Sequence, residues 1–163
     1  RYYQRLYRFA YRMLHDQEAA EDVAQEALLR AYRSAGRFRA GARFSSWLFA
    51  IAANLCRTEL QRCSRHPECG GEIPEEQEAP GSVEAAALQH LEDAAIRKAL
   101  GILSADHRLV VVLFYFEQMS QPEIAQVCGC AVGTVKSRLH YALARLRRLL
   151  EPAEDDPRGL SRG

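Results

Sequence analysis

No apolar run in this chain approaches the length of a membrane span, and no signal-peptide pattern is visible. The expected location is therefore cytoplasmic, without membrane insertion. No carboxylate pair, nucleophile–base set or glycine-rich phosphate loop stands out, so an enzyme is not expected and no cofactor is called for. Cysteine is sparse and irregular, five in 163 residues, without the paired C-x2-C elements of a usual zinc site. A disulfide scaffold is not expected in such a chain. Between Pro67 and Asp93 there is no lysine or arginine. Glycine and proline gather in the middle and at the tail, which leaves long stretches of uninterrupted helical period. The fold class expected is all-α: two small helical domains joined by a flexible acidic linker.

Ser120–Leu150 organises the rest. Ser120 and Glu123 have the S-x-x-E spacing of a capping box. Pro122 falls in the first turn, where a missing N–H costs nothing. Ile124, Ala125 and Cys128 give a short helix one apolar face, and Gly129 is placed to end it in the left-handed conformation. A second helix is predicted from Val132, with Val135, Leu139, Ala142 or Leu143, and Leu146 at helical spacing. Between them stand Thr134, Lys136, Ser137, Arg138, His140 and Tyr141. A short helix, a tight turn and a longer helix with a polar, basic leading end make a helix-turn-helix, whose second helix enters the DNA major groove. Lys136 and Arg138 suit phosphates or guanine edges.

The net charge of +1 conceals segregation. Arg1–His66 carries +6, Pro67–Asp93 carries −8, Ala94–Leu150 carries +5 and Glu151–Gly163 carries −2. Two basic blocks flank an acidic connector, a distribution that suits nucleic-acid binding better than the net value does.

Arg1–His15 reads as an amphipathic helix with Tyr3, Leu6, Tyr7, Ala10 and Leu14 inward. Asp16 is placed to cap the next, Glu18–Ser34, which buries Ala20, Val23, Ala24, Ala27, Leu28 and Ala31. Its other face carries Asp22, Gln25, Glu26 and an unexpected Leu29, which is either a partner surface or a stray leucine. In the loop that follows, Arg37, Arg39 and Arg43 interleave with Phe38 and Phe44, a charged track with ring faces of the kind unpaired bases stack on. Phe44 is expected to be a core anchor; Phe38 stays open between core and stacking. Ser45 or Ser46 is expected to cap a helix from Trp47 to about Arg62. On it, Trp47 sits at the mouth, Asn54 can both donate and accept, and Arg57 continues the basic line. Cys63, His66 and Cys69 open the connector and read as a weak zinc candidate or a redox-sensitive thiol pair. A helix is expected from Ser82 or Val83 to Leu103. The run from Asp106 to Phe116 has strand propensity, yet lacks any partner strand and is expected to be a buried helix.

The chain resembles the extracytoplasmic-function (ECF) group of bacterial σ70-family RNA polymerase sigma factors. Three stretches carry the resemblance: Ala20–Arg33 (AEDVAQEALLRAYR) is similar to region 2.2, Arg37–Leu60 to regions 2.3 and 2.4, and Ser120–Leu150, with VGTVKSRL, to region 4.2. The resemblance implies residues 1–66 as sigma region 2, 67–82 as an acidic flexible linker, 83–150 as the region 4 helix-turn-helix and 151–163 as a disordered tail. It implies that Asp22, Gln25, Glu26 and Leu29 dock on the β′ coiled coil of core polymerase, and that region 4 meets the β flap. It implies −10 strand capture by the Arg37–Arg57 stretch, with Phe38 and Asn54 at the flipped base and Trp47 beside them. It places Lys136, Ser137 and Arg138 in the −35 major groove, and an anti-sigma factor among the expected partners. His140, Tyr141 and Cys130 depart from the family pattern, and Cys63, His66 and Cys69 are no part of it. The rival readings are a one-component helix-turn-helix regulator, which leaves the Arg/Phe loop and the Leu29 face unused, and a thiol- or zinc-responsive variant.

Overall fold

The computed structural model describes residues 1–38, 41–65 and 94–150. The expected linker (67–82), the first half of the helix expected from residue 82 or 83, and the tail lie outside the described residues. Among those described, every regular element is helical.

α1 (Tyr3–Leu14) and α2 (Gln17–Arg33) form a tight hairpin. His15 closes α1 in the left-handed conformation at φ 56°, and Asp16 opens α2 by accepting a hydrogen bond from the Ala19 N–H at 2.8 Å. The buried residues of α1 are Leu6, Phe9, Ala10 and Met13. The inward face is thus turned relative to the predicted stripe: Tyr3, Tyr7 and Leu14 are only half-buried, while Phe9 and Met13 are fully enclosed. Tyr7 and Tyr11 stack on each other at the rim instead. α2 buries Ala20, Val23, Ala24, Ala27 and Ala31, a seam of small side chains that lets neighbouring helices approach closely, and Leu28 is left half-buried.

A single 3-10 turn (Ala35–Arg37) leads to α3 (Phe44–Arg65). α3 begins earlier than expected, so Ser45 and Ser46 lie in its first turn rather than capping it. Ser46 is buried with its Oγ unpartnered. α3 completes a three-helix bundle through Leu48, Phe49, Ala52, Ala53 and Cys56, with the Phe9 and Phe49 rings edge to face at 5.2 Å.

α4 (residues 94–101) leads to α5 (Ala105–Val111), capped by Ser104. α5 runs directly into a π-helical turn, Val112–Phe116. The β-prone run is helical because both its sides are covered: α5 lies between α1 and α3 on one side and α7 on the other. That two-sided burial explains the unbroken Leu109–Leu113 run. α6 (Gln121–Cys128) and α7 (Val132–Leu150) complete the chain. α6 packs on α3, so the N-terminal and C-terminal helices share one continuous core.

Candidate nucleic-acid and polymerase interfaces

The loop before α3 and the first turns of α3 gather three aromatic rings. Phe38 lies 5.7 Å from Phe44 and 5.3 Å from Trp47, and Phe44 lies 5.7 Å from Trp47. Tyr2 closes the group against Phe44 at 5.3 Å. Phe44 is not a core anchor: it is 39 % exposed, because helix initiation at residue 44 leaves its side chain on the outer face. Gly41 takes φ 103°, a conformation suited to glycine, which turns the loop back toward α3. Arg37 and Arg43 are exposed beside the cluster, and Arg39 lies outside the described residues. Asn54 follows Trp47 by seven residues and so lies on the same side of α3, about 10 Å further along. It is exposed, and its Oδ1 accepts from Arg57 Nη1 at 3.1 Å. Arginine only donates, so this bond engages the Asn54 side-chain carbonyl and not its N–H groups.

In the helix-turn-helix, both halves of the capping box form: the Glu123 N–H donates to Ser120 Oγ, and the Ser120 N–H donates to Glu123 Oε2 at 2.7 Å. The Ser120 hydroxyl also donates to Glu123 Oε2, at 2.7 Å, and this bond, followed by that from the Ser120 N–H, holds the Glu123 carboxyl below its usual range, with Arg43 adding to the effect. Gly129 ends α6 at φ 64°. Val127 joins Ile124 and Ala125 in the core, while Cys128 stays half-buried and its thiol is pushed up to about 11 by burial. α7 buries Val135, Leu139 and Ala142, which leaves Lys136, Ser137, His140 and Tyr141 exposed along the opposite side. Thr134 is half-buried at the leading end. Arg138 is held aside, its Nη2 3.4 Å from Asp106 Oδ2 on α5. Nothing crowds Gly133, so the first turn of α7 is slim.

On α2, Asp22 and Gln25 are exposed, Leu29 is 49 % exposed, and Glu26 pairs with Arg30 at 2.6 Å. Tyr32, 84 % exposed, extends this stripe. Sequence reading passed over it, although Gln25, Leu29 and Tyr32 have the i, i+4, i+7 spacing of one helix face. Between α2 and α3 an open groove of about 480 Å³ carries Asp16, Glu18, Asp22, Glu26 and Glu59.

The cysteine cluster does not assemble among the described residues. Cys63 is half-buried, with Sγ 3.9 Å from Glu59 Oε1, and His66 and Cys69 lie outside them. Cys56 is sealed in the core, its thiol pushed up to about 12 by burial. Among the described residues no three potential ligands converge on a metal position, and no helix is long and apolar enough to cross a membrane.

Two basic helical domains, the first with a partly exposed aromatic cluster and an exposed amide and the second a helix-turn-helix, define a promoter-recognition protein of the sigma-70 type. Residues 1–66 match the family described as sigma-70 region 2, and residues 93–146 match sigma-70, region 4. The chain belongs to the ECF family of RNA polymerase sigma factors. It is 40 % identical over 151 residues to the ECF sigma factor SigL of Mycobacterium tuberculosis, covering 90 % of this chain and 82 % of SigL. It is 38 % identical over 157 residues to the sigma-E factor of Streptomyces avermitilis, covering 96 % and 85 %. Among solved structures, the sigma factor RpoE of Bartonella quintana, in complex with the anti-sigma factor NepR, superposes with a TM-score of 0.72 at 31 % identity over 91 % of each chain. CnrH, solved with the cytosolic domain of CnrY, gives 0.68 at 27 % identity over 91 % of this chain and 82 % of CnrH. As an alternative sigma factor, the protein binds core RNA polymerase and directs promoter-specific initiation.

Proposed function

We propose that the −10 strand is captured on α3 and the loop before it. Phe38, Phe44 and Trp47 offer ring faces to unpaired bases, Arg37, Arg39, Arg43 and Arg57 line the phosphate track, and Asn54 reads a flipped base edge. The observation that carries this reading is the Phe38–Phe44–Trp47 cluster, half-buried at Phe38 and Trp47 and exposed at Phe44, with Trp47 and the exposed Asn54 on one side of α3. Lys136, Ser137, His140 and Tyr141 face the −35 major groove, with Thr134 at the entry and Arg138 joining once it leaves Asp106. Asp22, Gln25, Glu26 and Leu29, continued by Tyr32, dock on the β′ coiled coil of core polymerase, and region 4 meets the β flap. Residues 1–66 act as region 2 and 83–150 as region 4, joined by the acidic segment 67–82. The protein works in the cytoplasm and leaves all chemistry to the core enzyme. An anti-sigma factor restrains it, as the RpoE–NepR complex suggests.

The test is run-off transcription with bacterial core polymerase on a pool of promoter fragments, with and without this protein. Discrete starts that require the protein, and that Asn54→Ala redistributes among −10 sequences, support the assignment. Starts that ignore every substitution on the α3 face would overturn it.

A further inference from the structure

The sequence of α1 repeats a Tyr-Arg pair at a spacing of four, Tyr7-Arg8 and then Tyr11-Arg12. Four residues advance a helix by about 6 Å and return to nearly the same side. The repeat therefore lays a row of rings beside a row of cations. The Tyr7 and Tyr11 rings stack nearly parallel, with centroids 6.1 Å apart and planes inclined by 16°.

These rows line an open cleft of about 450 Å³, to which α4 contributes Arg97. Arg108, buried, fixes α4 beside α1. Its Nε donates to Leu100 O at 3.0 Å and its Nη2 to Leu103 O at 3.3 Å, at the C-terminal end of α4, while Nη1 donates to Met13 O at 2.5 Å in the last turn of α1. Toward the start of α1, Arg5 Nη2 meets Glu117 Oε2 at 2.9 Å. Arg97 is thereby brought to the ring row, where its Nη1 donates to the Tyr11 hydroxyl at 2.7 Å.

The cleft gathers three guanidinium groups, from Arg8, Arg12 and Arg97, and among its described lining residues there is no carboxylate. The Tyr11 bond takes one of the five N–H donors that an arginine carries. Arg12 lies 4.1 Å from the centre of the Phe116 ring, a contact made by the face of the guanidinium rather than by its N–H donors. Gln17 lines the rim and donates from Nε2 to Glu21 Oε1 at 3.2 Å. Burial, then the neighbouring Tyr11 and Glu21, raises the Tyr7 pKa, so its hydroxyl stays a neutral donor. Cations gathered at one cleft repel each other, and an anion of several charges relieves that repulsion. Tyrosine rings beside the cations suit a planar aromatic group. The volume is that of a site for one small molecule rather than for a run of nucleotides.

We infer that the cleft between α1 and α4 binds a free nucleoside polyphosphate, with its phosphates on Arg8, Arg12 and Arg97 and its base against the Tyr7 and Tyr11 rings. None of these residues belongs to the faces assigned to the −10 strand, the −35 groove or the β′ coiled coil. The inference therefore stands or falls apart from those assignments.

The test is titration calorimetry of the full chain with ATP, GTP, their nucleosides and inorganic tripolyphosphate. At least one triphosphate is expected to bind, with its nucleoside and tripolyphosphate each about tenfold weaker or more, since each supplies only half of the recognition. Arg8→Ala, at an exposed position, and Arg97→Gln should each weaken nucleotide binding about tenfold. Arg145→Ala, exposed on α7, should leave it unchanged. If Arg97→Gln does not fold, Arg8→Ala decides by the same readout. No heat of binding from either triphosphate at about 1 mM overturns the inference. So does equal weakening by Arg8→Ala and Arg145→Ala, or tripolyphosphate binding as tightly as the nucleotides, either of which reduces the site to diffuse positive charge. A short single strand that displaces the nucleotide at lower concentration would also overturn it, in favour of a nucleic-acid surface.

Discussion

Lowering the pH should weaken this fold through His15. Burial depresses its pKa from 6.5 to about 4, and the Arg108 and Arg97 charges add to the effect. Above pH 6.5 the imidazole is neutral in both folded and unfolded chains and contributes no pH dependence. Between 6.5 and 4 the unfolded chain takes up a proton that the folded chain refuses, so stability falls as the solution is acidified. Below 4 the loss levels off. The separation of the two pKa values sets its ceiling at about 3 kcal/mol; the site is only half-buried, and solvent screening lowers the part reached between pH 7 and pH 5 to about 1 kcal/mol. For a chain of this size 1 kcal/mol lowers Tm by roughly 2–4 °C. Carboxylates also titrate in this range, so the measurement is a difference: thermal or urea unfolding of wild type and His15→Asn at pH 7, 6 and 5. Asparagine tolerates the left-handed conformation that position 15 requires and carries no titrating group. Wild type should lose about 1 kcal/mol more than the variant over that interval. Equal losses would refute the reasoning. A smaller loss in wild type would mean that His15 gains a partner for its charged form.

Other perturbations follow from the same geometry. Asn54→Ala should flatten base preference at −10 in heparin-resistant complex assays while leaving affinity for core polymerase unchanged, since the side chain is exposed and supports no packing. Lys136→Ala should weaken duplex −35 binding and reduce the slope of log K against log salt by about one, read by fluorescence anisotropy across a salt series. Ser120→Ala removes one half of the capping box and should cost about 1 kcal/mol in urea unfolding.

Much of the helix-turn-helix was legible because its determinants are local. The cap at Ser120 and Glu123, the stop at Gly129 and the Val135–Leu139–Ala142 spacing each depend only on near neighbours. The same holds for the Asp16 cap and the alanine seam of α2. What misled were features set by distant packing. Phe9 and Met13 are sealed because two other elements close over α1, which its own periodicity does not contain. Phe44 was expected inside because phenylalanine usually is, yet the helix starts one turn sooner than the Ser45–Ser46 signal implies. The exposed face of α2 was recognised at Leu29 but not at Tyr32, where tyrosine reads equally well as a core residue. Arg108 went unnoticed altogether. An arginine in sequence looks solvated, and its three acceptors are carbonyls, which carry no signature of residue type.

The π-helical turn at Val112–Phe116 has a consequence for how the two regions meet. A π turn amounts to one residue inserted into an α-helix, and here its register is fixed by the Glu117 N–H donating to Val112 O at 3.2 Å. Deleting a single residue from this turn would restore an ordinary α-helix and rotate everything beyond it by about 100°. Glu117 would then swing away from Arg5, and α6 and α7 would be presented at a new angle. The extra residue therefore acts as an angular spacer. It fits the heading of α7 to a surface more than a hundred positions earlier in the chain, and the length of this one turn should be less free to vary than its side chains.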